Sequence, residues 1–200
     1  MPARRGSANK PIVIGLTGNF GAGKTTAAGI FKKLGARVIS ADRLAHEAFK
    51  KENRVYRKLA SLFPEVKGNL TRGRVAQIVF NDPKRRQTLE ALIHPYVFRR
   101  IKEEISGMRR GAAVVEIPLL FETGFDKHCD ATVVIDAPKE KVIRRLVVRG
   151  FGKAEALRRW RAQMPAAEKK KRADYAVDNS KNRKQTERQV KKIWQEIIET

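Results

Sequence analysis

A chain of 200 residues with 42% hydrophobic content can bury one full core and a small appended lobe. Its one cysteine, Cys129, excludes an intrachain disulfide and makes a cytoplasmic compartment the expectation, and no apolar run approaches the roughly 18 residues that a bilayer-spanning helix needs. The net charge of +23, from 44 basic against 21 acidic residues, points to polyanionic partners such as nucleotides, nucleic acid or acidic membranes, without choosing among them.

Residues 1–10, MPARRGSANK, are basic, rich in small residues and not followed by an apolar signal core, so they read as a disordered basic tail. IVIGL (12–16) is short, apolar and rich in β-branched residues, the pattern of a buried strand. Ala27, Ile30, Phe31 and Leu34 then share one face of a predicted helix over 24–34, with Gly35 at its stop. ARVIS (36–40) reads as a second strand, and Asp42 is placed to cap a helix beginning at Arg43. This β-loop-α-β-α opening predicts a parallel sheet with right-handed crossovers.

From 43 to 108 the pattern is mainly helical. Thr71 is a candidate N-cap, and Asn81, Asp82 and Pro83 form a helix start with the proline in the first turn. Leu89, Leu92, Ile93, Val97, Ile101 and Ile105 form an apolar stripe that His94-Pro95 is expected to kink or break. Strand character returns at 112–117, 131–137 and 173–177, with helices over 138–149, 153–163 and 183–199. The predicted architecture is α/β: a three-layer nucleotide-binding core (11–42, 109–137 and 173–200) around five parallel strands, an inserted helical lobe (43–108) and a helical segment at 138–172.

The chemistry starts at TGNFGAGKTT (17–26), where Gly18 to Thr25 fit G-x-x-x-x-G-K-[ST] between a predicted strand and a predicted helix. Glycines let successive backbone N–H groups converge on phosphate oxygens, and the helix N-terminus adds its own free donors and dipole. Gly18, Asn19, Gly21, Ala22, Gly23, Lys24, Thr25 and Thr26 are therefore the candidate ATP-binding residues. In this motif the lysine reaches the β- and γ-phosphates, and the Thr25 hydroxyl is a Mg²⁺ ligand. The loop specifies a nucleoside triphosphate but no reaction. Asp42 is either a helix cap or an acid that serves phosphoryl transfer. Residues 141–172 hold twelve basic against two acidic residues, which fits either a solvated face or a phosphate site.

Further along, VISADRLAHE, IHP, EIPLLFETG, RRLVVRG, RRWRAQMP and ADYAVDN follow the loop in an order and spacing that resemble the dephospho-coenzyme A kinase family, a P-loop kinase family, from about residue 12 to 196. The resemblance implies transfer of the γ-phosphate of ATP to the ribose 3′-hydroxyl of dephospho-CoA, the last step of CoA biosynthesis, with Mg²⁺. It also implies that 43–108 is a CoA-binding lobe and 138–172 a mobile lid. The implied catalytic residues are Asp42 as base, Lys24 and the lid arginine Arg149. Arg145, Arg149 and Asn179 join the ATP site. Asp42, His94, Pro118, Leu119, Leu120, Arg159 and Gln163 join the acceptor site, and Thr25 and Glu116 the metal site. The chain departs from the family pattern at Asn19 (commonly Gly), Ser40 (usually Asp), Glu116 (more often Asp), Lys141 (commonly Gln), Gly150 (commonly Asp) and Ser180-Lys181 (often Gly). Two other readings stay open at this point: a nucleoside monophosphate-type kinase, and a nucleic-acid binder. The chain has no aromatic platform or zinc-finger spacing, so nucleic acid is expected to bind nonspecifically if at all.

Overall fold

The computed structural model describes residues 10–66, 68–80 and 82–199. The tail expected over 1–10 therefore lies outside the described residues except for Lys10, as does Asn81 of the predicted helix start.

The strands are β1 (Ile12–Thr17), β2 (Arg37–Ser40), β3 (Ala112–Glu116), β4 (Ala131–Asp136) and β5 (Tyr175–Asp178). They form one sheet in the order β2-β3-β1-β4-β5, with parallel pairing of β1 to β3, β1 to β4 and β4 to β5. The chain moves one way from β1 to β2 and the other way from β3 to β4. The carboxyl end of β1 is thus a topological switch point, where open α/β sheets bind ligands. The expected five-stranded α/β architecture is borne out.

The chain divides into two compact units, Ser40–Ser106 and the remainder. In the sheet unit, α1 (Lys24–Lys33) and α9 (Arg183–Ile198) bury Ala27, Ile30, Phe31, Val190, Ile193 and Ile197 against Ile14, Leu16, Val114, Val133 and Val177 of the strands. These strand residues alternate in sequence, so Gly15 faces the other way, where a Cβ would meet Leu120 and Cys129. Between β4 and β5 lie α6 (Lys139–Val148), α7 (Lys153–Arg161) and α8 (Ala166–Arg172). Val142, Ile143 and Leu146 of α6 pack on Ala156 of α7, with Phe20, Phe151, Leu157 and Trp160 around them. Burial pushes the Cys129 thiol up to about 12, so it is an unreactive packing group at neutral pH.

The Ser40–Ser106 unit contains α2 (Ala41–Glu47), α3 (Arg54–Leu62), α4 (Arg72–Phe80) and α5 (Pro83–Ser106) around Leu44, Leu59, Val75, Val97 and Ile101. Thr71 accepts from Arg74 N, and Asp82 accepts from Arg85 N with Pro83 as the first helical residue, as the sequence predicts. Two expectations are corrected. First, Ser40 and not Asp42 caps α2, accepting from Arg43 N at 3.4 Å, so Asp42 sits in the first turn. Second, of the expected kink or break at His94-Pro95 the break is overturned, since α5 continues through Pro95 for 24 residues. An interior proline costs about 3 kcal/mol. Buried Ile93 and Tyr96, Val97 and Ile101 on either side of it anchor the helix and offset that cost.

Candidate active site

β1 delivers the chain into the glycine loop at Thr17, and α1 begins at Lys24, so the loop closes at a helix N-terminus. Gly18 and Gly23 have φ of 145° and 105°, and at each the neighbouring structure excludes a side chain. A Cβ on Gly18 would overlap the Ile135 carbonyl oxygen, and one on Gly23 would overlap the Asn179 amide nitrogen. Asn19, in contrast, takes a negative φ, so the conformational demand of the loop falls on its glycines alone. We expect Gly18→Ala to destabilise the fold by at least about 2 kcal/mol, since backbone strain and a clash with main chain combine. Gly152→Ala, at φ −60° with open space around it, should stay within about 0.5 kcal/mol. Chemical denaturation of the two variants checks both values.

Lys24 is 9% exposed, and its ammonium donates to the Gly18 and Asn19 carbonyls at 2.9 and 3.2 Å. The side chain thus lies folded over the loop that it serves. Next to it, the exposed Thr25 hydroxyl donates to Glu116 Oε1 at 3.1 Å. Glu116 ends β3, which pairs with β1 in a register that sets Glu116 opposite Leu16. Two residues 91 apart in sequence, both expected at a metal, are therefore neighbours. Their donors are a hydroxyl and a carboxylate, the hard oxygens that suit Mg²⁺. That ion keeps several waters and substrate phosphate oxygens, so a two-residue protein contribution fits it.

Asn179 follows β5 and is buried. Its amide donates to the Ala22 carbonyl at 2.7 Å and accepts from the Thr186 hydroxyl at 2.9 Å. The side chain thus ties the loop at Ala22 to Thr186 of α9 and makes Asn179 a buttress under the loop. Arg145 donates to the Asn179 carbonyl at 2.8 Å, and Lys141 to that of Ser180. Arg149 ends α6 exposed, with no ion-pair partner among the described residues. Arg159 pairs with Glu155 at 2.7 Å and lies over the rings of Phe20 and Phe151, at 5.2 and 5.3 Å. Gln163 accepts from Phe20 N at 2.6 Å, so its carbonyl oxygen also serves the loop backbone.

Of the EIPLLFE residues, Pro118 and Leu119 are half-buried, whereas Leu120 is 0% exposed and packs under Gly15. Leu120 is thus a core residue, without the exposed surface that its expected place in the acceptor site requires. The alternation of an apolar run could not reveal this, because 117–121 is loop and not strand. In the helical unit, Asp42 keeps 61% of its side chain exposed, with Arg72 3.3 Å away. His94 stacks on Phe98, ring planes 9° apart, and burial holds it below the usual histidine range against the pull of Glu90. It is therefore a neutral imidazole at pH 7, able to donate from one nitrogen and accept at the other.

The residue that the sequence reading missed is Lys169 of α8. It is 0% exposed, with its ammonium 2.6 Å from the Pro118 carbonyl and 3.0 Å from Glu122 Oε1. Within a run of four consecutive basic residues it gives no signal of burial.

Comparison with known proteins fits this geometry. The dephospho-CoA kinase family matches residues 12–185. A dephospho-CoA kinase of Thermus thermophilus is 42% identical over 95% of this chain and 94% of its own length. A crystal structure from the same organism, 40% identical, superposes with a TM-score of 0.84 over 94% of this chain and 98% of that one. A dephospho-CoA kinase structure from Campylobacter jejuni, 29% identical, gives 0.67 over 92% and 96%. A gluconokinase of Sinorhizobium meliloti, 18% identical with a TM-score of 0.52, shares the fold alone. A family match that begins at the first strand and runs into the last helix, on a chain whose phosphate loop and strand-end acid meet in space, has one reading: this chain belongs to the dephospho-CoA kinase family.

Proposed function

We propose that the chain carries out its family's reaction, the ATP-dependent phosphorylation of the dephospho-CoA ribose 3′-hydroxyl to give CoA and ADP, with the residues assembled above. The observation that carries the residue-level reading is the convergence of Lys24, Thr25 and Glu116 at the mouth of the glycine loop. Backbone N–H groups of the glycine loop other than that of Phe20, which Gln163 holds, cradle the ATP phosphates, and Lys24 leaves the loop carbonyls to meet the β- and γ-phosphates. Thr25 and Glu116 would hold Mg²⁺, which when bound would offset the negative charge of the phosphates. Asp42 takes the proton of the acceptor hydroxyl, and its exposure leaves it accessible to that group. Arg149, exposed at the end of α6 and without an ion-pair partner among the described residues, and Arg145 supply positive charge to the equatorial oxygens of the transferring group.

The helical unit takes the CoA portion of the acceptor, with His94 as a neutral hydrogen-bonding partner, and α6 to α8 form the lid, whose closure excludes water from the transfer. Among the described residues no helix is long and apolar enough to cross a membrane. A single, unpaired cysteine accords with a reducing compartment, and the cytoplasm is where we place the enzyme.

The test is a coupled ADP-release assay with Mg·ATP, in which dephospho-CoA is run against a panel of nucleosides and nucleoside monophosphates. Turnover confined to dephospho-CoA is expected, and absence of turnover with it overturns the reading. For the metal, Glu116→Gln should raise the Mg²⁺ concentration needed for half-maximal rate by about tenfold, since one charged donor is lost. A titration unchanged from wild type would remove Glu116 from the metal site.

A further inference from the structure

The mechanism leaves Lys169 without a task, although a lysine buried with its charge is costly unless something holds it. Its partners form a continuous polar chain. The Pro118 carbonyl, which accepts from Lys169, also accepts from the Thr17 hydroxyl at 3.2 Å, immediately before the glycine loop. Glu122, paired with Lys169, accepts from Met164 N at 3.1 Å. The Met164 carbonyl in turn accepts from Asn19 Nδ2 at 3.4 Å, and the preceding Gln163 accepts from Phe20 N at 2.6 Å. The chain therefore leaves the loop at Thr17, passes through Pro118, Lys169, Glu122 and Met164, and returns to the loop at Asn19 and Phe20.

Lys169 is the one cation in this ring and its only member in contact with both arms. Burial pulls its ammonium below the ordinary lysine range, and the hydrogen bond to Glu122 pulls it back. Without that cation, Glu122 has no reason to stay turned inward at Met164 N, since a carboxylate prefers water to a lone amide donor. Met164 and Gln163 then lose their anchor, and Phe20 N, one of the loop's own donors, loses the acceptor that orients it.

We propose that Lys169 is a positioning residue for ATP: it holds Glu122 and the 163–164 segment so that the glycine loop keeps its phosphate-binding form. This rests on the loop's being the ATP site, and wild-type turnover of dephospho-CoA tests that premise separately.

The experiment measures kcat and KM for ATP and for dephospho-CoA, together with melting temperature, in Lys169→Met, Gln163→Ala, the pair combined, and Lys169→Met/Glu122→Leu. Lys169 is buried and the Glu122 side chain is 23% exposed, and replacing a pair with a desolvated partner by apolar residues of similar size is often close to neutral for stability. The last variant therefore carries the test where Lys169→Met alone folds poorly. It should melt near wild type yet still show the kinetic defect, because Met164 N has lost its acceptor. The expected result is a rise of about tenfold in KM for ATP, the loss of one to two oriented hydrogen bonds, with KM for dephospho-CoA within about twofold of wild type. Adding Gln163→Ala should cost less than its effect alone, since both substitutions act through one segment. A KM for ATP within about twofold of wild type in the Lys169→Met/Glu122→Leu variant, or fully additive losses, would overturn the proposal and leave Lys169 a purely structural strut.

Discussion

Lys24→Ala is expected to lower the turnover of dephospho-CoA by at least about a thousandfold, about 4 kcal/mol of transition-state stabilisation, while the protein stays folded. The transferring phosphoryl group spreads its charge over oxygens that only pre-placed donors can stabilise without reorganisation. Lys24 is the one side-chain cation of the loop and is held within 3.2 Å of two loop carbonyls. Its burial at 9% exposure makes its charge act in a low dielectric, where a positive centre is worth most. Stability should change far less than rate. The positive-φ glycines Gly18 and Gly23 and the Asn179 buttress, which also shape the loop, remain in the variant. Lys24→Arg should not rescue the rate, because a planar guanidinium needs room that the folded-over ammonium does not leave. The ADP-release assay and a circular-dichroism melt together decide the matter, and a rate within tenfold of wild type would refute the assignment.

Asp42→Asn should reduce kcat by about a hundredfold to ten-thousandfold, with KM for ATP changed by no more than a few-fold. Asparagine keeps the shape and the first-turn position but cannot take a proton. Ser40 caps α2, so removing the charge of Asp42 costs the helix little. Its pair with Arg72 is exposed at 3.3 Å, and exposed pairs contribute little. A kcat effect without a KM effect is what loss of a general base produces. Equal losses in kcat and in ATP or Mg²⁺ affinity would instead identify Asp42 as a metal-organising residue. The Ser40 departure sharpens this test, because no neighbouring carboxylate of the motif can substitute for Asp42.

The phosphate loop was legible before any coordinates because its information is local. Glycines at fixed spacing, a preceding apolar strand and a following amphipathic helix all lie within about twenty residues. Caps at Thr71 and Asp82 were legible for the same reason. Local competition misled at Asp42, where Ser40 two residues earlier offers an equally good cap, and at His94-Pro95, where burial on both flanks outweighs a broken hydrogen bond.

Composition, periodicity and one motif by themselves determined the α/β class, the five strands, the helical insertion and a nucleotide's phosphates at the first loop, because each follows from residues adjacent in sequence. The tertiary structure alone decided which side chains support that loop. Asn179 reaches Ala22 across 157 residues, Phe20 finds Gln163 across 143, and Lys169 meets Pro118 across 51. Sheet order brings these partners together. A buried lysine amid basic neighbours, or an asparagine whose two polar ends are both engaged, differs from its exposed counterpart only in what surrounds it.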